Sequence, residues 1–230
     1  MRRRAAWLAA TLAPWALAGC ASQAPPSAGP GLALPAAPAG GRLWRLDLAA
    51  SQLRMLAFRG GTAARLGHHH ILQASSAEGW LWLPEQGLAG ARGELRVPLA
   101  DLAIDDPAWR KAAGGEFDEK PVSSDDIAGT RRNLLASLQA AEHPSVALSL
   151  RSLRGAAPWW AAEVALTLAG REVRYPVALG VQALEDKLQT EGRLVLRQSS
   201  HGLQPYSVLG GLLAVQDEVV LEFRLKWRAQ

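Results

Sequence analysis

Cysteine is nearly absent, since Cys20 is the only one in 230 residues. A single thiol forms no intramolecular disulfide, so the fold must hold by its apolar core and tolerates an oxidising compartment. An excess of one charge is missing as well. The formal charge of +4 includes Arg2, Arg3 and Arg4, and residues 1–19 carry no acidic side chain, which leaves 22 basic residues (25 minus 3) against 21 acidic ones. That balance excludes the massed basic face of a nucleic-acid binder. Gly-rich phosphate loops are lacking too, because Gly60-Gly61, Gly114-Gly115 and Gly210-Gly211 are not followed by Lys-Ser or Lys-Thr. Ser199-Ser200-His201 is contiguous in sequence, yet neighbouring strand residues diverge, and a nucleophile needs its base in space. Asp105, Asp106, Asp125 and Asp126 read as helix starts sooner than as an acid/base pair. No enzyme motif survives, and no catalytic residue is expected.

What is present begins with an address. Three arginines precede an apolar stretch over residues 5–18, interrupted only by Thr11 and Pro14, and Leu17-Ala18-Gly19-Cys20 closes it. The stretch is too short to span a bilayer as a stable helix and reads as a signal peptide over residues 1–19. Its end resembles the bacterial lipobox, which implies that Cys20 carries a diacylglycerol thioether and becomes the mature N-terminus. Two or three acyl chains hold a protein firmly to a membrane, where a single one does not. Ala21 stands where known sorting rules place an inner-membrane aspartate, so the expected address is the outer membrane, facing the periplasm. Residues 20–41 are rich in Pro, Ala and Gly and lack periodicity. They read as a tether of about 25 Å if random and up to roughly 65 Å if extended.

From residue 42 to 230 the chain reads as one domain built on period two. Val219, Leu221, Phe223, Leu225 and Trp227 face one way, and Glu218, Glu222, Arg224, Lys226 and Arg228 the other. The same alternation runs through Trp44–Leu46–Leu48, Leu95–Val97–Leu99, Val146–Leu148–Leu150 and Val164–Leu166–Leu168. Such strands are half-buried and antiparallel, and eight or nine of them favour a closed barrel or a sandwich. Trp80 and Trp82 share one face and Leu81 and Leu83 the other, so that strand is expected to be covered on both sides. One helix interrupts the pattern near residues 123–140. Ser123 and Asp126 form a capping-box start, Ile127, Leu134, Leu135 and Leu138 form a stripe, and Pro144 forbids continuation. Such a helix serves as a lid at one end of the barrel or as packing.

Four segments together resemble the YceI-like, polyisoprenoid-binding family of bacterial envelope proteins. They are Leu66-Gly67-His68, then His143-Pro144-Ser145-Val146-Ala147-Leu148, then Leu166 to Gly170 with Pro176-Val177, and Leu196 to Leu203 with Asp217-Glu218-Val219. The resemblance implies an all-β, lipocalin-like antiparallel barrel of about eight strands, enclosing an apolar tunnel for a long isoprenoid or similar amphiphile. It makes Trp44, Phe58, Trp80, Trp82, Leu95, Val97, Leu148, Leu150, Leu166, Leu168, Leu196, Phe223 and Leu225 the candidates for the tunnel wall. The chain departs from the family in having His201 where an aromatic residue is usual, and in its run of three histidines.

His68, His69 and His70 carry the sharpest chemical signal. On a strand His68 and His70 face one way, about 7 Å apart, within reach of an anionic head group or a shared metal. Arg65, His68, His70 and His201 are the head-group candidates, and the same three histidines are the metal candidates, though two ligands make no tight site. No cofactor is required, and a bound isoprenoid-type lipid is the expected ligand. His143 reads as a partner of the helix C-terminus. Trp159-Trp160 reads as a turn that either packs on the barrel end or dips into a membrane interface. Three readings follow: a lipid-anchored carrier of an apolar-tailed amphiphile, a metal-dependent module on His68, His70 and His201, and an envelope protein whose barrel is filled by its own side chains.

Overall fold

The alternating segments fold as β1 (Gly41–Leu46), β2 (Gln52–Gly60), β3 (His70–Ala74), β4 (Glu78–Pro84), β5 (Arg92–Pro98) and β6 (Leu102–Ile104). After two helices, α1 (Pro107–Ala113) and α2 (Ser124–Ser137), come β7 (Ser145–Ala156), β8 (Trp159–Leu168), β9 (Arg171–Leu184), β10 (Lys187–Arg197), β11 (Ser207–Val208) and β12 (Leu213–Ala229). The structure, a computed structural model, describes residues 32–36, 39–184 and 186–230. Cys20, the signal peptide and the first part of the tether lie outside the described residues.

All pairings are antiparallel, in the order β1-β4-β5-β7-β8-β9-β10-β12, and β1 returns to β12 with Trp44 opposite Ala229 and Leu46 opposite Trp227. β12 is long enough for one of its edges to take two partners, β1 near its C-terminus and β2 along residues 214–224. β1–β2, β3–β4 and β5–β6 are each one bent strand, so the wall is a closed eight-stranded, lipocalin-like barrel with two helices. Closure removes most of the sheet edge, but β6 keeps one, having β3 as its one partner.

Register decides what lies inside. Leu53 is opposite Phe223, Met55 opposite Leu221 and Ala57 opposite Val219, so the stripe read on β12 lies beside the stripe of odd residues on the neighbouring β2, and both point into the interior. Leu166 and Leu188 are 1% exposed, and each contributes about 1.5–3 kcal/mol by its burial. Glycines make room for the largest rings: a Cβ on Gly192 would lie 2.9 Å from the Phe223 ring, and one on Gly79 would lie 3.4 Å from the Trp227 ring. Trp44 and Trp227 pack in the core towards the end near Gly41 and Pro84. The Trp227 indole N–H is satisfied by the Thr190 hydroxyl at 3.0 Å.

The wall is incomplete at the other end. Pro98 ends β5 and the chain kinks through Leu99–Asp101, after which β6 pairs with β3 alone. α2 covers this gap. Its start is the expected capping box, with the Ser123 hydroxyl accepting from the Asp126 amide and Asp126 accepting from the Ser123 amide. Arg131 then ties it to the kink, donating to the carbonyls of Ala100 at 2.9 Å and Leu102 at 2.8 Å. α1 starts on Asp106, whose carboxylate accepts from the Ala108 amide at 2.8 Å, with Pro107 at the first helical position.

Two sequence expectations change here. Trp159 and Trp160 are the first residues of β8, not a turn, and strand alternation sends Trp159 outward at 56% exposed while Trp160 packs on the core. His143 lies against the β8–β9 turn, where a Cβ on Gly170 would meet its ring at 2.7 Å.

Candidate functional site

The gap end of the barrel encloses a cavity of about 180 Å³. Its wall is apolar: Leu72, Val97, Val146, Leu148, Leu166, Leu168, Leu196, Val219 and Leu221 project from the barrel, and Leu134 of α2 and Leu138 at its C-cap roof it. A second cavity of about 90 Å³ lies towards the aromatic end, lined by Leu95, Leu150, Phe223, Leu225 and Trp227 among others. Leu53 and Leu148 border both. They are the partition of what would otherwise be one tunnel.

Polar groups line the upper cavity at one end. α2 contributes Thr130, Asn133 and Ser137, which lie beside Leu134 and Leu138 on the covering face. β3 contributes His70, and the segment after β10 contributes Gln198 and Tyr206. Arg54 also borders the cavity, but its guanidinium donates to Gln73 at 3.0 Å and lies 5.7 Å above the Trp109 ring. The polar end therefore offers hydroxyl, amide and imidazole groups.

His70 is the best anchored of these. Its Nδ1 is 2.6 Å from Asp105 Oδ2, and a carboxylate only accepts, so Nδ1 carries the proton and Nε2 is the ring's remaining hydrogen-bonding atom. Asp105 is buried at positive φ (54°), where it also accepts from the Ile71 amide at 2.8 Å and from Arg110 at 3.0 Å. Burial pushes its carboxyl up, but the hydrogen bond and charge of His70, the Ile71 amide and Arg110 outweigh that and hold it below the usual carboxylate value. Arg110 in turn donates to the His69 carbonyl at 2.7 Å. Ring orientation at His70 is thus fixed by a buried network.

The other histidines have separate places. His68 lies with its ring centre 6.3 Å from that of His70, half-buried and outside the cavity wall, and burial, then the charge of His70, lowers its pKa. His69 points to the opposite face, 2.7 Å from Glu116 and in a three-ring cluster with Phe58 and Phe117. His201 is not at this rim. Its Nδ1 donates to the Arg171 carbonyl at 2.9 Å, which leaves Nε2 to accept from the Tyr175 hydroxyl at 2.9 Å. Burial lowers its pKa against the opposing pull of that carbonyl. Among the described residues no group of three His, Cys, Asp or Glu side chains converges on a metal position. Arg65 is exposed on the loop before His68 and does not line the cavity; its carbonyl accepts from Lys120 at 2.7 Å.

Of the candidates for the tunnel wall, Val97, Leu148, Leu166, Leu168 and Leu196 line the upper cavity, and Leu95, Leu148, Leu150, Phe223 and Leu225 the lower one. Four do not. Trp44 faces inward but is core packing, under the Arg42 guanidinium at 4.9 Å. Trp80 and Trp82 take the outer face, because Leu81 and Leu83 of the same strand face the lower cavity. Phe58 is out of phase with Leu53, Met55 and Ala57 and packs against His69 and Phe117 on the outside. Thr130, Asn133, Ser137, Gln198 and Tyr206 are cavity residues that sequence reasoning passed over. The signal was available for three of them, since positions 130, 133 and 137 share the spacing of a helix face.

Comparison with solved structures follows this geometry. Burkholderia cenocepacia BcnA is similar at a TM-score of 0.53 and 14% identity, over 79% of this chain and 98% of that one. A Campylobacter jejuni YceI protein is similar at a TM-score of 0.48 and 8% identity, over 69% of this chain and 84% of that one. No protein-family model and no curated protein matches the sequence. The likeness to BcnA shows the fold, a closed antiparallel β-barrel.

Proposed function

We propose that the protein is a lipid-anchored envelope protein that binds an apolar-tailed amphiphile, such as an isoprenoid quinone or a polyprenyl compound, inside its barrel. One observation carries this: the wall of the upper cavity is apolar, and the polar residues His70, Thr130, Asn133, Ser137, Gln198 and Tyr206 line it from the start of β3, from α2 and from the segment after β10, at the gap end of the barrel. A tail gains from the wall by transfer out of water, and a head gains only at that end. The donors and acceptors suit a polar head such as a ring carbonyl or hydroxyl. Binding and release are the whole activity in this proposal, without catalysis, metal or cofactor. The lipobox-like end of the leader and Ala21 support anchoring at Cys20 and residence at the outer membrane, facing the periplasm.

Size constrains the ligand. A cavity of about 150 Å³ takes one benzene, so 180 Å³ takes one or two five-carbon units. A longer tail enters the lower cavity only when Leu53 and Leu148 move apart. The aromatic packing of that lower half supports the rival reading of a barrel filled by its own side chains. Titration of delipidated protein with prenyl quinones of increasing tail length separates the two. The amphiphile reading expects saturable quenching of tryptophan emission at one ligand per chain. Absence of saturable quenching at any tail length overturns it.

A further inference from the structure

Three leucines stand out in solvent at the cavity end of the barrel. Leu66, Leu209 and Leu212 are 66%, 70% and 47% exposed. Two loops carry them, one joining β2 to β3 and the other joining β11 to β12, and the Ala63 amide of the first donates to the Leu212 carbonyl of the second at 2.9 Å. Their approach is close, since a Cβ on Gly61 would lie 2.5 Å from the carbonyl oxygens of Gly211 and Leu212. The loops form one tip. Leu209 has φ +53°, a left-handed conformation disfavoured for leucine, and Gly210 and Gly211 follow at +66° and +91°. Holding a leucine outward in that conformation brings the free molecule no packing in return.

The tip continues into the cavity. Tyr206 and Val215 flank the second loop, are joined by the Val215 amide and the Tyr206 carbonyl at 2.9 Å, and both line the cavity wall. The chain before β1 also turns this way. Gly41 is at the aromatic end, whereas the Leu32 amide donates to the Glu78 carboxylate at the start of β4. Leu32 is twelve residue steps (32 minus 20) from Cys20, and fully extended these steps reach about 40 Å. Glu78 is eight residue steps from His70, at most about 27 Å even if extended throughout. An anchor at Cys20 therefore reaches a membrane lying against the tip. Lys120 and Arg65 stand at its edge, while the nearby Glu116 and Glu119 are paired with Arg59 at 3.1 Å each.

We infer that this leucine tip docks the barrel on a phospholipid bilayer, with the cavity opening towards the lipid phase. The docking rests on the amphiphile reading, because that ligand resides in the membrane. Exposed leucines beside cations fit the interface between acyl chains and phosphates. The opposite end fits it less well, as the exposed Trp159 ring lies against its neighbouring strand, 3.1 Å from where a Cβ of Gly180 would be.

Hydrogen–deuterium exchange of the full native protein, with and without vesicles of phosphatidylethanolamine and phosphatidylglycerol, tests it. Amides at 61–67 and 209–212 are expected to exchange at least about five-fold more slowly with vesicles, and those at 85–90 and 156–160 to be unchanged. Leu209→Asp, at an exposed position, removes the protection at 209–212 with circular dichroism preserved. Unchanged exchange in both loops, protection at 156–160 instead, or retained protection in Leu209→Asp overturns the docking. The same protection in concentrated protein without vesicles makes a second copy the occupant and also overturns it. Loaded protein with unprotected loops contradicts docking alone, whereas a protected tip on protein that never loads contradicts the amphiphile reading alone.

Discussion

His70 and Asp105 share a 2.6 Å hydrogen bond that fixes one histidine of a run of three at the polar end of the cavity. Asp105 has no exposed side-chain surface, and the Arg110 side chain is only 5% exposed. Asp105→Asn keeps the volume and one acceptor but leaves that guanidinium without its counter-charge. Removing one partner of a buried pair costs about 3–5 kcal/mol, and urea unfolding should show a loss of that size. A loss below about 1 kcal/mol, the worth of an exposed pair, would contradict the network.

Leu168 lines the upper cavity and Ala165, three residues before it, takes the outer face. Leu168→Trp should therefore fill the cavity and abolish lipid retention while the β-type circular dichroism persists. Leu53→Ala works in the opposite direction. It removes the partition at a cost of about 2–5 kcal/mol and should shift ligand preference towards longer tails, read from the tail-length series. Unchanged preference would mean that Leu53 does not divide the tunnel.

Burial lowers the pKa of His201, so the folded protein favours its neutral form. The unfolded chain then binds this proton first as pH falls. The associated stability is fully present above the ordinary value of 6.5 and is lost as pH drops from there through the folded pKa. His68 shifts in the same direction and adds to the slope. Urea midpoints measured from pH 8 to 5 should decline below about pH 6.5, and less steeply in His201→Gln. A midpoint that rises on acidification would contradict the burial of both rings.

The β12 stripe was legible because one face of that strand meets the interior and the other meets water. Trp80 and Trp82 were not, since β4 is covered on both sides and periodicity alone cannot say which covering is the barrel interior. Phe58 was legible in principle: Leu53, Met55 and Ala57 set the phase of β2, and Phe58 breaks it. The histidine run gave its alternation correctly, but the partners that assign its members, Asp105 and Glu116, are 35 and 47 residues away. Thr130, Asn133 and Ser137 were hidden by the habit of reading an amphipathic helix for apolar residues alone. Asp105 shows the same limit, since an acidic pair before Pro107 reads as a helix start, and only Asp106 caps α1.

Anchoring has its own test. In cells, Cys20→Ala should give unprocessed or soluble protein, while the native chain stays with the membrane fraction and gains the mass of acyl chains. Unmodified native protein, cleaved elsewhere and free in the periplasm, would remove the anchor from the account.

Mass spectrometry of an organic extract from natively purified protein tests the central claim most directly. The account predicts an apolar-tailed amphiphile at close to one per chain, lost from Leu168→Trp prepared in the same way. Native protein that carries no lipid, and carries none after incubation with its own membranes, would contradict the binding function and leave a barrel filled by its own side chains.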